Sequence, residues 1–268
     1  MGLKNLFKGL GSSSPVDRLV KKLTQKYGPT ENRMAAAHRL AEIGTPEAIF
    51  GLLKRYTILS ENGVIDEEEK QQVGHLVLSF GEDAIEPIKE SLRKIDQISW
   101  PLALLRQILE KDEERFVHEV VSLLNDLDVE YTRNPEKKVA LLTFLSGLDE
   151  LSEDGEYEED KEDLLIHSSK PPVDHRIAEA ALKFLEDEDE EVRFLAVAAL
   201  GRQKDDCARE PIINLLLEEH TSRRFRVGIA EVLARNEWDV KGFRKQVEEV
   251  LPKGFKLDRH GRVRDRRG

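Results

Sequence analysis

The chain has 268 residues, of which 35% are charged and 39% hydrophobic, and a formal net charge of −11. That length can bury a sizeable core, and the acidic balance disfavours a global attraction to nucleic acid. A single cysteine, Cys207, excludes a disulfide framework and a Cys-based zinc site within the chain.

The chain opens with MGLKNLFKGLGSSS. Leu3, Leu6, Phe7 and Leu10 fall at i, i+3, i+4 and i+7, beside Lys4 and Lys8. Residues 1–13 therefore read as an amphipathic tail able to rest on a membrane or in a partner groove. Four apolar groups at about 2 kcal/mol each give only weak, reversible anchoring. Lys4 and Lys8 interrupt any secretory signal, and Leu6 breaks the myristoylation pattern. No apolar run reaches the roughly 18 residues that span a bilayer. A cytoplasmic location is the expectation.

Helical spacing follows almost everywhere, and strand signals are nearly absent. NRMAAAHRLAEIGTPEAIFGLLKRY places Arg33, Ala36, Leu40 and Ile43 on one helix, a break at Gly44, then Ala48, Ile49, Leu52 and Leu53 on a second. KQQVGHLVLSFGEDAIEPIKESL repeats this: Lys70 lies 37 residues after Arg33, and Gly81 lies 37 after Gly44. The segments 102–124 and 139–148 fit more loosely. From Asp126, DLDVEYTRNPEK fails as a calcium loop, because its sixth and twelfth residues are Tyr131 and Lys137 rather than Gly and Glu.

DELSEDGEYEEDKED, residues 149–163, carries ten acidic side chains and one lysine. The stretch 149–170 reads as an insertion within one repeat, a solvated loop first and a docking strip or loose calcium collector second. Pro171-Pro172 marks the return to order. His167 and His175 flank that turn, and two histidines do not make a zinc site.

VRFLAVAALGRQ begins at Val192, and FRVGIAEVLARN begins at Phe225, 33 residues later. Between them, a polar turn at Lys204-Asp205-Asp206 leads into Ile212, Ile213, Leu215, Leu216 and Leu217. Cys207 reads as a small turn residue with no basic or His neighbour to activate it. The end, 253–268, holds seven Lys/Arg against two Asp. Lys256, Arg259, Arg262, Arg264, Arg266 and Arg267 are its candidate contacts to an anionic partner, nucleic acid or lipid. Alternatively Phe255-Lys256-Leu257 and Arg262-Val263-Arg264 form a small hairpin over the last repeat. The basic end and the acidic insertion are also plausible counter-ions for each other.

Helix pairs recurring every 33 to 37 residues indicate stacked repeats, none of which buries its own apolar face alone. EEVRFLAVAALG, followed by a polar turn and a Leu-rich helix, resembles a HEAT repeat of the bacterial type described in phycobilisome lyases. The likeness is close over about 190 to 236 and good over 30 to 94. It implies an all-α fold: a right-handed alpha solenoid of about five to six helix pairs over 14–252. It also implies that Arg33, Arg193 and Arg226, at equivalent helix starts, pair with an acidic residue of an adjacent repeat. The family is chiefly one of protein-binding scaffolds, with the second helix of each pair lining the inner face. The function so implied is a non-enzymatic adaptor for another protein. Lys54, Arg55, Lys89, Arg93, Asn214 and Glu218 are the exposed second-helix positions expected to meet the partner.

No small-molecule substrate, cofactor, metal or catalytic residue is indicated. The sequence has no nucleophile elbow, Gly-rich phosphate loop or His-Glu-x-x-His. Two enzymatic alternatives rest on likeness of repeat type, which is analogy. One is a DNA-alkylation-repeat glycosylase, for which Trp100 and Trp238 would be the cleft aromatics. The other is a phycobilin lyase.

Overall fold

The structure, a computed structural model, describes residues 14–60, 62–130, 135–148 and 171–266. The amphipathic tail 1–13 and the insertion 149–170 lie outside those residues, as do Tyr131, His167 and Arg267. Among the described residues there are thirteen α-helices and one two-stranded sheet, so the fold is mostly helical, in keeping with the all-α class. None of these helices is long and apolar enough to cross a membrane. Contacts cluster into two compact units that divide between Ile108 and Leu109, a boundary that the repeat spacing does not mark.

The first unit contains α1 (Pro15–Leu23), α2 (Thr30–Ile43), α3 (Pro46–Leu53), α4 (Gly63–Leu78), α5 (Ile85–Lys94) and α6 (Ser99–Ile108). Local chemistry sets their ends. Ser14 and Asp17 form a reciprocal capping box at α1, and the Thr45 hydroxyl accepts from the Ala48 amide to start α3. Gly44 closes α2 at φ +61°, in the left-handed region that glycine adopts without strain. Helix α2 packs on α4 and α4 on α6, while α3 packs on α5. Leu40, Ile49, Leu52, Leu53, Val77, Ile88 and Leu92 are essentially inaccessible between these layers. Each buried Leu or Ile contributes roughly 1.5–3 kcal/mol against the entropy of ordering the chain.

The second unit contains α7 (Glu113–Asp126), α8 (Glu136–Ser146), α9 (His175–Ala181), α10 (Glu190–Gln203), α11 (Arg209–Leu217), α12 (Arg223–Arg235) and α13 (Arg244–Val250). Here α8, α10 and α12 pack in succession, α11 packs on α13, and α7 on α9. The small residues of α10 admit this approach. A Cβ on Gly201 would come within 2.7 Å of Val232 on α12, and Asn236 Nδ2 donates to the Gly201 carbonyl at 2.9 Å. Gly201 thus serves close packing inside α10, and the helix ends later. Its left-handed cap is Lys204, at φ +54°.

The C-terminal segment forms the hairpin. Strands β1 (Phe255–Leu257) and β2 (Val263–Asp265) pair antiparallel, with Lys256 opposite Arg264. Strand β2 packs on α12, and Phe255 and Val263 are buried.

Candidate functional site

Among the expected partner contacts, the first unit places Lys54, Lys89 and Arg93 on adjoining elements, and α3 packs directly on α5. Lys54 Nζ lies 5.2 Å from the centre of the Phe50 ring, and Lys94 Nζ lies 5.6 Å from the same ring. One helix-borne aromatic is thus flanked by an ammonium from each element, a cation–π arrangement that holds both lysines in place. Beside it is a groove of about 320 Å³ lined by Pro46, Glu86, Pro87, Glu90, Arg93 and Lys94. Lys89 reaches Glu86 at 3.0 Å, and Lys94 reaches Glu90 at 2.5 Å. The face therefore combines four cations, two carboxylates and an aromatic edge. In the second unit, Asn214 and Glu218 are exposed on α11 and at its C-terminal end.

Arg55 does not belong to such a surface. Its side chain is fully buried. The reason is the 3-10 turn Lys54–Thr57 that follows α3, which directs Arg55 inward toward two acidic residues of α4. Arg55 Nη2 is 2.7 Å from Asp66 Oδ1, and its Nε donates to Glu69 Oε2 at 3.0 Å. Glu69 also takes Arg33, through Nη2 to Oε1 at 2.6 Å and Nε to Oε2 at 2.9 Å. Lys70 Nζ completes the group, 2.6 Å from Asp66 Oδ2. Arg33 further donates to the Gln25 and Gly28 carbonyls, and Ser60 N donates to Asp66. Burial by itself would raise both carboxylates. The hydrogen bonds from Arg33, Thr30 and Arg55 outweigh it at Glu69, and those from Lys70, Arg55 and Ser60 outweigh it at Asp66, so both stay below their ordinary values. Strong burial pushes the Tyr56 phenol far up, and its hydroxyl donates to the Lys70 carbonyl. Buried and with each of its charges partnered, the network joins α2, the turn and α4. Its shifted groups have a structural cause.

Arg33 thus pairs with an acid 36 residues on, but Arg193 and Arg226 do not make the pair implied for them. Arg193 Nη1 donates to the Asp187 and Glu188 carbonyls, and Arg226 Nη2 to those of Glu218 and Glu219. Each reaches back to carbonyls of the turn before its own helix. In the second unit Lys138 and Asp187 form a buried charge pair, at 2.8 Å.

The basic hairpin is partly neutralised. Arg264 lies 2.8 Å and Arg262 3.2 Å from Glu237, and Arg264 also contacts Asp258. Lys256, Arg259 and Arg266 remain exposed. The tryptophans expected of a base-binding cleft are core residues: Trp100 stacks on Tyr56 with ring centres 5.2 Å apart, and both Trp100 and Trp238 are 6% exposed.

Sequence reasoning missed one constellation. Asp205 Oδ2 is 2.6 Å from His175 Nδ1, and Cys207 N donates to Asp205 Oδ1 at 2.9 Å. The donor atoms of His175, Asp205 and Cys207 all lie within 4.8 Å of one another. Cys207 does have a histidine neighbour after all. Only a loose signal was available: Asp205 and Cys207 stand 30 and 32 residues after His175, a little short of the 33 to 37 residues of the recurring pattern. Burial, reinforced by Asp205, pushes the Cys207 thiol up to about 12, so it is no nucleophile near neutral pH. No protein-family model and no curated protein sequence matches the chain.

Proposed function

We propose that the chain is a HEAT-like alpha solenoid acting as a non-enzymatic scaffold, and that another protein docks on its second-helix surfaces. The observation that carries this is the α3–α5 face, where Lys54 and Lys94 flank Phe50 and Arg93 and Lys94 line an open groove. Mixed cationic and aromatic surfaces of this kind supply anchors for a partner's carboxylates and apolar side chains. The face is preformed on packed helices, so little ordering entropy opposes binding. Asn214 and Glu218 extend the same role to α11.

The solenoid part of the proposal draws on a recurrent offset. Polar contacts join residues about one repeat apart in both units: Arg33 to Glu69, Gly201 to Asn236, Glu190 to Ser222 and Arg209 to Asp239. First helices pack on first helices and second on second, as in α2 on α4, α3 on α5 and α10 on α12. Nearest-neighbour contact of this kind is the packing rule of repeat proteins.

The experiment is capture from nuclease-treated lysate with three full-length baits. These are wild type, a Lys54→Glu/Arg93→Glu variant, and a Lys256→Glu/Arg266→Glu variant. A stoichiometric protein partner retained by wild type and by the hairpin variant, but lost from the α3–α5 variant, supports the scaffold. Capture that disappears with nuclease, or only with the hairpin variant, transfers recognition to the basic end and its anionic partners.

A further inference from the structure

From the juxtaposition of His175, Asp205 and Cys207, we infer a binding site for a divalent transition-metal ion of the zinc class, with Nδ1, a carboxylate oxygen and Sγ as donors and the fourth position open to solvent. One cysteine is too few for a Cys-dominated zinc site, but a mixed nitrogen, oxygen and sulfur set needs only one. This is the donor chemistry that borderline-soft ions select over calcium or magnesium.

The surroundings orient each donor. His175 Nε2 lies 3.1 Å from Glu179 Oε1, one helical turn further along α9. A carboxylate accepting Nε2–H keeps the proton on that nitrogen when Nδ1 gives up its own to an ion, the outer-shell arrangement found behind metal-binding histidines. Asp205 is held by its cap on the 3-10 turn Asp206–Ala208, where Oδ1 accepts from the Cys207 amide, so Oδ2 is the ligating oxygen. Gln203 ties the two halves together: its Nε2 donates to the Pro172 carbonyl at 3.0 Å, and its Oε1 accepts from Asp174 N at 2.8 Å. That clamp sets the start of α9 against the end of α10. The left-handed Lys204 then turns the chain so that Asp205 and Cys207 face His175.

Donors bound to zinc at about 2.0–2.3 Å stand roughly 3.3–3.8 Å apart. The set needs to contract by about 1 Å at its widest, within reach of the χ rotations of a His175 side chain that is 58% exposed. A bound ion displaces the proton that Nδ1 shares with Asp205 and takes the thiol as thiolate, so two protons pass to solvent. The nearby carboxylates of Glu179 and Asp206 add to the negative field that favours a cation.

Cobalt(II) and zinc(II) salts, titrated into the metal-free full-length chain, test the site. Cys207 is the sole cysteine, so any thiolate-to-cobalt charge-transfer band reports on it alone. The expected result is one ion per chain, a charge-transfer band that zinc displaces, and loss of the band in Cys207→Ser. His175→Ala and Asp205→Asn bind at least tenfold more weakly; the second keeps an oxygen for the cap. Glu179→Gln loses about 10- to 100-fold. A wild-type chain with no such band, a stoichiometry of one ion per two chains, or unchanged affinity in both His175→Ala and Asp205→Asn would overturn the assignment.

Discussion

The two units bury charge in different ways. In the first, Arg33, Arg55, Lys70, Asp66 and Glu69 form one connected group in which each carboxylate serves two cations. In the second, Lys138 pairs with Asp187, and Arg193 and Arg226 near the starts of α10 and α12 donate to backbone carbonyls. The same register position therefore carries a networked charge in one place and a local cap in another. Arg33, like Arg193 and Arg226, also caps carbonyls of the turn before its own helix; the difference is that α4 adds Asp66 and Glu69, one turn apart, to the first group. A shared carboxylate cannot be removed without stranding two cations, so the units should answer substitution with different severity.

The largest effect is expected for Glu69→Ala. It strips Arg33 of its salt-bridge partner, leaves Arg55 with Asp66 alone and should destabilise by about 3–5 kcal/mol, read as a fall in denaturant midpoint. Lys138→Ala takes a donor from the Glu130 carbonyl and strands one carboxylate, Asp187, which keeps its bond from the Asp189 amide. A loss of about 2–3 kcal/mol is expected there by the same measurement. If the two substitutions cost the same, the distinction between network and pair fails.

Acid sharpens the contrast. The folded values of Asp66 and Glu69 lie below their ordinary 3.8 and 4.5. Their stabilisation is therefore complete above about pH 4.5 and is lost as pH falls through the folded values. Unfolding midpoints followed from about pH 5 down to pH 3 should decline steeply in wild type and more gently in Glu69→Gln. Equal slopes would show that these carboxylates do not drive the acid transition.

Gly201→Ala should cost about 1–3 kcal/mol, since the new methyl meets Val232 at 2.7 Å and α12 must shift. Stabilisation would mean that α12 yields freely. Arg226→Ala is the smallest of the set, about 0.5–1.5 kcal/mol, because the carbonyls it caps are exposed enough for water to replace it.

Much of this organisation is legible in the residues. Leu40, Ile49, Leu52 and Leu53 fall at helical spacing and are all in the core, and Gly44 marks the end of α2 as its φ requires. What periodicity cannot convey is the rotation of a side chain where the helix tightens. Arg55 reads as an exposed end of α3, and only the 3-10 turn after it brings the guanidinium to Glu69. Arg193 and Arg226 show the complementary limit. Register equivalence places them correctly, but their partners depend on turn geometry that the repeat does not encode. The His175 constellation was hidden for a third reason: its members lie on separate elements, 30 and 32 residues apart, and meet only where the start of α9 packs against the turn after α10.

The most direct measurement is a pair of double-mutant cycles on stability, one on Arg33 and Glu69 and one on Arg209 and Asp239. Both pairs join residues a repeat apart, but the first is buried and the second half-exposed. A coupling energy of about 2–3 kcal/mol for the first and under about 1 kcal/mol for the second is predicted. Near-zero coupling between Arg33 and Glu69 would contradict the claim that a shared buried carboxylate locks α2 to α4.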